Sequence, residues 1–323
     1  MNFREGHVPV LLNEFLAGFA VLSESRGAAC RDRFVDFTFG LGGHSLPLLE
    51  KYDWLKVTAF DADPLTIARA AEVYKNYVSA GRLTLVNGNF ANFDSLISAA
   101  DMQNVIGAIA DFGISNYQLF EKGRGFSFDD DRSFDMRIDQ QSEGPSAARV
   151  VNDFSEEELG DIFFHLADER LARQIARAVA ERRRERPIET CSQFAEIVRT
   201  VYKRNPKVKT GVDFATKAVM ALRIFVNSEF DNIKSLLEKA AVNFVKNSRL
   251  FTITFHSNED RIVKEFIKNE SRGCICPKEV IICRCSHKAR VRAIDKKPLI
   301  ATDAEMAVNP RSRSAKLRTI EFI

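Results

Sequence analysis

The sequence lacks the features of membrane and exported proteins. No apolar run approaches the roughly 18 residues needed to cross a bilayer, and residues 1–10 contain no apolar signal-peptide region. Cysteine is sparse, because six cysteines in 323 residues do not form the dense pattern of a disulfide-stabilised secreted domain. Internal repeats and low-complexity tracts are missing as well. We therefore expect a globular protein in the cytoplasm, without a membrane contact.

The chain as a whole also lacks a large excess of positive or negative charge, but two of its segments are strongly basic. The formal net charge is only +3. Residues 170–186 contain seven arginines against two glutamates, and residues 271–323 contain twelve lysines and arginines against five acids. Two basic segments favour a polyanionic partner such as nucleic acid, although solvated surface segments would have the same composition.

What the sequence does contain is an alternation of β-prone and helix-prone segments. Four short apolar runs lie in the first third of the chain, at residues 34–38, 56–61, 83–86 and 105–112. Helix-prone stretches separate them, and one of these has Pro64 in its first turn. This order predicts an α/β protein with a mainly parallel, doubly wound sheet.

The middle of the chain is expected to be helical. Capping-box patterns begin at Ser155 and Thr190, and each is followed by apolar residues at helical spacing. Later segments are expected to be a helix at 213–244 and strands at 250–255, 289–294 and 316–323. The simplest organisation is a sheet domain over residues 1–118 and 216–323, interrupted by an all-helical domain over residues 119–215.

The turn after the first expected strand has the composition of a nucleotide-binding loop. It reads GLGGHS over residues 40–45. Glycines let the backbone approach a ligand closely, and an open α/β sheet binds its ligand beyond the carboxyl ends of the strands. Asp61 ends the second strand, where an acid can accept hydrogen bonds from ribose hydroxyls.

The turn and the acid do not by themselves decide which cofactor binds. A dinucleotide fingerprint would need glycine at position 45, where Ser45 stands, and His44 would crowd the pyrophosphate. Both residues argue against a nicotinamide cofactor, but they do not by themselves identify S-adenosylmethionine as the alternative. A tight turn that binds no ligand stays open as an alternative.

Seven short motifs, in order and at matching spacing, resemble the MraW/RsmH family, which methylates N4 of a decoding-region cytidine in bacterial 16S rRNA. They lie at residues 7–11, 40–45, 111–115, 124–128, 135–139, 255–261 and 309–318. The resemblance implies a Rossmann-like, S-adenosylmethionine-dependent methyltransferase sheet with an inserted all-helical domain. It also implies 16S rRNA, within the small ribosomal subunit, as the partner, and it leaves open whether the protein is a monomer or a homodimer.

The resemblance further assigns roles to individual residues. It places the cofactor against Gly42, Gly43, His44, Asp61, Phe90, Asp111 and Gln118. Positions at strand ends agree with this assignment for the glycines, Asp61 and Asp111. Phe90 by itself would be taken for a core aromatic residue.

Methylation of the cytosine N4 amine needs a positioned hydrogen-bond acceptor. Delocalisation into the ring makes this amine a poor nucleophile, so the enzyme must orient it and accept hydrogen bonds from its N–H groups. Asp111 and Ser115 are the expected catalytic residues. Asp111 could instead contact the cofactor alone, and the chemistry needs no metal.

The sequence departs from the family pattern at several positions. Phe37 replaces a usual glycine, Asn116 a usual serine and Phe120 a usual aspartate. Positions 116 and 120 are expected near the target base, so two other functions stay open. One is an RNA-binding assembly factor without catalysis, and the other is a methyltransferase that acts on a different nucleic acid or on a protein.

Four cysteines form two close pairs near the C-terminus. Cys274 lies two residues before Cys276, Cys283 lies two residues before Cys285, and His287 follows. Four thiolates can bind a structural Zn²⁺ in a tetrahedron, but the spacing within each pair is shorter than the usual one. The sequence leaves open a zinc site and a set of reduced, partly buried thiols.

Overall fold

The computed structural model describes residues 9–26, 32–115, 118–119, 121, 123–277, 279–280 and 282–323. The chain divides into two compact units. The sheet unit comprises Met1–Gly113 and Phe230–Ile323, and the helical unit comprises Ile114–Glu229. The expectations placed on His7, Asn116 and Phe120 concern residues outside the described part of the chain.

Among the described residues, eight strands form one sheet in the sheet unit. They are β1 Arg33–Asp36, β2 Lys56–Asp61, β3 Leu83–Asn87, β4 Val105–Asp111, β5 Arg249–Thr254, β6 Val291–Ala293, β7 Leu299–Ile300 and β8 Lys316–Phe322. The order is β3-β2-β1-β4-β5-β8-β6, with β7 beside β8. β1 to β5 are parallel, and β8 is antiparallel to its neighbours. The predicted α/β class is confirmed.

Helices flank the sheet and build the helical unit. Those in the first part of the sheet unit are α1 Leu12–Arg26, α2 Ser45–Lys51, α3 Pro64–Val73, α4 Lys75–Ser79, α5 Phe93–Leu96 and α6 Ala99–Met102. The helical unit contains α7 Ala147–Asp153, α8 Glu156–Ala167, α9 Ala172–Glu185, α10 Cys191–Lys203 and α11 Thr216–Val226. After these come α12 Glu229–Asn243, α13 Ser257–Glu270 and α14 Asp303–Val308. In the described parts of the chain, none of the helices is both long enough and apolar enough for a membrane span.

Side chains that alternate along the strands fill two apolar cores, one on each face of the sheet. Phe34 of β1 lies in one core with Phe15 and Phe19 of α1. Val35, the next residue of β1, lies in the other core with Leu236 of α12. All five side chains are buried. Burial on both faces explains why the parallel strands are continuous apolar runs in the sequence.

The antiparallel strand β8 is joined to its neighbours by a shared carboxylate. Glu321 accepts a hydrogen bond from Arg249 of β5 at 3.1 Å and one from Arg292 of β6 at 2.9 Å. Both oxygens of this buried side chain are therefore paired, as a buried charge requires. The strands expected at 289–294 and 316–323 correspond to β6 and β8, whereas the two-residue β7 was not expected.

The helical unit has a core of its own. α8 begins with the predicted capping box, in which Ser155 Oγ accepts from Glu158 N and the Glu158 carboxylate accepts from Ser155 N at 2.7 Å. α10 begins at the predicted N-cap, Thr190. The buried Glu169 accepts a hydrogen bond from the Tyr202 hydroxyl at 2.7 Å. This bond joins the turn before α9 to the end of α10.

The limits of the helical unit differ from the predicted range 119–215. The helix expected at 213–244 is divided into α11 and α12, because Ser228 between them has a left-handed φ of 50°. The Asn227 side chain, just after α11, accepts a hydrogen bond from Ile138 N at 2.8 Å. α11 also packs into the core of the helical unit. The helical unit therefore includes α11, whereas the sequence analysis had assigned residues 216–323, and thus this helix, to the sheet domain.

Replacing a buried leucine of the sheet unit should destabilise the protein far more than replacing an exposed one. Leu49 of α2 is fully buried, whereas Leu65 of α3 is 55% exposed. We expect Leu49→Ala to lower the free energy of unfolding by about 2–5 kcal/mol, because it leaves a cavity in the core. Leu65→Ala, the matched control, should change it by less than about 0.5 kcal/mol. Urea unfolding measures both, and equal losses would contradict the position of α2 in the core.

Candidate functional site

Three aspartates lie at the same edge of the sheet. Asp36, Asp61 and Asp111 are the last residues of β1, β2 and β4. β1 pairs in parallel with both β2 and β4, so the carboxyl ends of these strands meet. The strand order reverses at β1, and an open α/β sheet binds its ligand at that point. We call this place the carboxyl edge.

The glycine-rich loop after β1 is tied to the end of β2. The Asp61 carboxylate accepts hydrogen bonds from Gly40 N and Asp63 N, both at 2.9 Å. Burial raises the pKa of Asp61 to about 7, against these two hydrogen bonds, which lower it. A carboxylate can accept roughly four hydrogen bonds. Asp61 therefore holds the loop and still has acceptor positions for a ligand.

The conformation of this loop requires glycine at position 42. Gly42 has a φ of 76°, a left-handed value that favours glycine. A Cβ atom there would lie 3.0 Å from the Phe39 ring and 3.1 Å from Leu46. The loop geometry alone therefore accounts for this glycine, before any ligand is considered.

Asp36 connects the same loop to the first helix after it. Its carboxylate accepts hydrogen bonds from Ser45 Oγ at 2.6 Å and from Thr38 N at 3.1 Å. Burial raises the pKa of Asp36 to about 6, against these two hydrogen bonds. Thr38 Oγ1 in turn accepts from Asp111 N at 2.7 Å. Ser45 is fully buried, so its hydroxyl has a structural task that glycine could not perform.

Asp111 has a carboxylate oxygen that the protein does not satisfy. Its Oδ1 is buried and has no hydrogen-bond partner among the described residues, and its Oδ2 lies 4.0 Å from His44 Nδ1. Burial, together with the negative charges of Asp36 and Glu259, raises the pKa of Asp111 well above its ordinary value. A buried acceptor without a donor costs free energy. The side chain is 23% exposed, so a ligand can supply the missing donor or positive charge.

His44 faces Asp111 in a defined orientation. Its Nε2 lies 3.0 Å from Val10 O, and a carbonyl oxygen can only accept, so Nε2 carries the hydrogen. Nδ1 is then the atom that faces Asp111 Oδ2. The 4.0 Å between them is too long for a hydrogen bond. The Phe15 ring packs edge-on against the imidazole at 5.4 Å and helps to fix its plane.

Two aromatic residues near the carboxyl edge have different surroundings. Phe90 is half-buried at the start of the 3₁₀ helix Phe90–Asn92, 6.0 Å from the Phe112 ring. Phe37 is 1% exposed and packs against Phe60 and Phe93. Phe37 therefore belongs to the core, whereas Phe90 keeps part of its ring accessible.

Comparison with known proteins decides the family. The model of the MraW methylase family matches residues 4–323. This chain belongs to the MraW methylase family. Ribosomal RNA small subunit methyltransferase H of Caldicellulosiruptor bescii is 38% identical over 321 residues, which cover 98% of this chain and 99% of that protein. The protein of the same name from Acidiphilium cryptum is 39% identical over 318 residues, which cover 98% of this chain and 97% of that protein.

A solved structure is also similar, but only weakly. The rRNA methylase from Streptococcus thermophilus covers 95% of both chains, with a TM-score of 0.40 and 10% identity. This similarity is too low to assign a fold. The fold class is assigned from the strand order of the sheet described above.

Two residues expected in the site of this MraW methylase lie at the start of the helical unit. Ser115 N donates to Gln118 Oε1 at 3.1 Å, and Gln118 N donates to Ser115 Oγ at 3.2 Å. This reciprocal pair closes a turn, which is a structural role for both side chains. Their roles toward a cofactor or a base stay predictions, whereas His44, Asp61 and Asp111 do lie at the carboxyl edge.

The two basic segments are partly neutralised within the chain. Near the C-terminus, Asp260 accepts from Arg318 at 2.7 Å and from Lys316 at 3.4 Å, whereas Arg311 and Arg313 are exposed. In α9, three arginines pair with acids of the helical unit: Arg173, Arg177 and Arg182. The surface available to a polyanion is therefore less basic than the residue counts suggest.

Sequence analysis missed two acids that shape the site. Asp36 is the last residue of β1, as Asp61 and Asp111 are of β2 and β4, and an acid inside an otherwise apolar run was the signal that could have identified it. Glu259 is 1% exposed and accepts a hydrogen bond from Phe255 N at 2.8 Å. Its effect on Asp111 arises only when β4 and the start of α13 come together, so no local pattern could have identified it.

The protein should become less stable as the pH rises through the range in which Asp61 titrates. Asp61 has an ordinary pKa of 3.8 and a folded pKa of about 7. Between those values the folded state keeps a proton that the unfolded chain has released, so the free energy of unfolding falls with rising pH. We expect Asp61→Asn to make this fall shallower, by up to about 1.4 kcal/mol per pH unit.

Urea unfolding at several pH values in that range measures the effect. The substitution also removes one acceptor for Gly40 N or Asp63 N, but this loss does not vary with pH, so the slope isolates the titration. Asp53→Asn is the control, because the Asp53 side chain is fully exposed, and it should keep the wild-type slope. Parallel profiles for Asp61→Asn and wild type would show that Asp61 is not buried as described.

Proposed function

We propose that this protein transfers a methyl group from S-adenosylmethionine to N4 of a cytidine in the decoding region of bacterial 16S rRNA. The observation that carries the proposal is the cluster of Asp36, Asp61 and Asp111 beside the glycine-rich loop, in a chain that belongs to the MraW methylase family. Relatives of similar length that are named as small-subunit rRNA methyltransferases support the substrate class.

The charge at the carboxyl edge favours a cationic cofactor. Burial raises the pKa of all three aspartates, so their ionised forms are unfavourable until positive charge arrives. S-adenosylmethionine has a sulfonium and an ammonium group. A nicotinamide dinucleotide has an anionic pyrophosphate, which the carboxylates would repel. The electrostatics therefore support S-adenosylmethionine and oppose a dinucleotide.

The residues at the carboxyl edge fit the parts of this cofactor. Asp61 has acceptor positions left for the ribose hydroxyls, and the accessible part of the Phe90 ring suits the adenine. Gly42, Gly43 and His44 would hold the methionine part, and the family resemblance assigns Gln118 to the same site. S-adenosylmethionine bound there would supply a methyl group attached to a positively charged sulfur, which is the electrophile of the reaction.

Asp111 would orient the target amine and receive its proton. The unsatisfied Oδ1 can accept a hydrogen bond from an N–H group. The carboxylate must be ionised for this, and a cation bound beside it favours the ionised form. The N4 proton released on methylation can pass to the same oxygen, because the raised pKa of Asp111 makes it a stronger proton acceptor than an ordinary aspartate. Ser115 is the second catalytic candidate.

The RNA must present an unpaired base to this edge. Flipping a stacked base costs a few kcal/mol, and contacts between arginines and phosphates can offset that cost. Arg311 and Arg313 are exposed and are the C-terminal residues that we assign to phosphate binding.

Affinity for S-adenosylmethionine should rise with pH. At about pH 5.5 Asp61 is largely protonated, since its pKa is about 7, and its ionised form accepts hydrogen bonds from the ribose hydroxyls better. The pKa of Asp111, which would lie beside the methyl group, is also raised, and its ionised form attracts the sulfonium. We expect an increase of up to about tenfold per pH unit for each proton released, levelling off above about pH 8. Isothermal calorimetry measures the affinity, and buffers of different ionisation enthalpy report the protons released.

Two other ligands serve as controls for this prediction. S-adenosylhomocysteine has the same groups without the sulfonium charge, so its affinity should depend less on pH. NAD should not bind measurably. Binding of NAD in place of S-adenosylmethionine would overturn the cofactor assignment. If the affinities for S-adenosylhomocysteine and S-adenosylmethionine changed equally with pH, the electrostatic argument would be wrong.

Asp111→Asn should slow methyl transfer much more than it weakens cofactor binding. The amide keeps the shape of the side chain but removes its charge, so it orients the amine poorly and cannot receive the proton. We expect the single-turnover rate at saturating cofactor to fall by about 10²-fold or more. Small ribosomal subunits lacking the modification are the substrate, and mass spectrometry of the rRNA identifies the methylated nucleotide.

Asp53→Asn, with its fully exposed side chain, is the matched control and should retain the wild-type rate. If the loss of cofactor affinity accounted for the whole defect of Asp111→Asn, Asp111 would contact the cofactor alone. If wild-type protein bound the cofactor but methylated no small-subunit cytidine, the proposed reaction would be wrong.

A further inference from the structure

The two cysteine pairs meet in a segment with little regular structure. No helix or strand lies between Glu270 and Val291 in the described part of that segment. Cys274 and Cys283 are exposed, and Cys276 and Cys285 are half-buried. None of the described residues from 271 to 290 is fully buried, and a connection of this length is usually functional or disordered unless something other than packing holds it.

The four sulfur atoms have the spacing of a tetrahedral metal site. All four Sγ atoms lie within 4.8 Å of one another. Cys283 Sγ lies 3.6 Å from Cys285 Sγ, which lies 3.7 Å from Cys274 Sγ. A tetrahedron with metal–sulfur bonds of about 2.3 Å has edges of about 3.8 Å. A disulfide would instead bring two sulfurs to about 2.05 Å, so the observed spacing is that of thiolates around an ion.

The nearby histidine is not one of the ligands. His287 Nε2 lies 3.8 Å from Glu270 Oε2, and the group of convergent ligand atoms consists of cysteines alone. The site is therefore closed, with four protein ligands and no position for water or substrate. Such sites are structural, whereas catalytic zinc sites keep one position open.

Two isoleucines in the described part of the segment are exposed. Ile275 is 50% exposed and Ile282 is 74% exposed. Their exposure beside the convergent cysteines is expected if metal bonds, instead of burial, hold the segment together. The binding free energy of a structural zinc then serves as folding free energy for this part of the chain.

We propose that Cys274, Cys276, Cys283 and Cys285 bind one structural Zn²⁺ that folds the segment between α13 and β6. This site is independent of the methyl-transfer reaction, because its ligands are complete and the chemistry at the carboxyl edge needs no metal. A tetrahedron of four thiolates selects zinc among the common divalent ions.

Metal analysis of the full-length protein, purified under reducing conditions without added metal, tests the proposal. We expect about one zinc per chain. Titration with a mercurial thiol reagent should release the zinc in step with modification of four thiols. Protein reconstituted with Co²⁺ should show the sulfur-to-cobalt charge-transfer bands of a tetrahedral thiolate site.

Substitutions separate the cluster from other cysteines. Cys283→Ser and Cys276→Ser should each lower the zinc content and speed tryptic cleavage of the segment, which contains exposed Arg284 and Lys288. Cys191→Ala is the control, because Cys191 is buried in the helical unit, and this variant should keep the full zinc content. Wild-type protein without zinc, with iron in its place, or with a mass that shows disulfides between these cysteines would overturn the proposal.

Discussion

The shape of the candidate site depends on carboxyl groups buried at the ends of three adjacent parallel strands. Asp36 and Asp61 accept hydrogen bonds from the loop that follows β1, so they determine where that loop lies. Asp111 has an oxygen that no described donor reaches. Asp36 and Asp61 thus hold the protein's own loop, with acceptor positions left on Asp61, whereas Asp111 has an oxygen available to a ligand. The shape of the site and its charge come from the same residues.

This arrangement has a cost in stability. Each of the three carboxyls has a raised pKa because its ionised form is poorly solvated, so the site opposes folding at neutral pH. The surrounding packing must offset that cost, and Phe37, the residue after β1, contributes to this packing through its contacts with Phe60 and Phe93. A glycine there would leave this core less filled. The departure from the family pattern at position 37 therefore concerns packing more than chemistry.

Ion pairs within the chain neutralise part of the positive charge in both basic segments. In α9 and at β8, several basic side chains pair with acids of their own unit. The pairs of α9 are at the surface and contribute little stability, but all of these pairs reduce the positive field that a polyanion would meet. Arg311 and Arg313, which we assign to phosphate binding, are exposed just before β8. A count of residues along the sequence does not make this distinction, because ion pairs form between segments far apart in the chain.

The sequence by itself determined the α/β class, the GLGGHS loop, the acids at the ends of β2 and β4, and the helix starts at Ser155 and Thr190. Strand alternation, turn chemistry and capping act over a few neighbouring residues, so they can be recognised without a structure. Only the tertiary structure decided that Asp36 and Glu259 act on Asp111, that α11 belongs to the helical unit, that Phe37 is core, and that four cysteines converge. Those properties depend on which distant residues meet and on how much water the fold excludes around them.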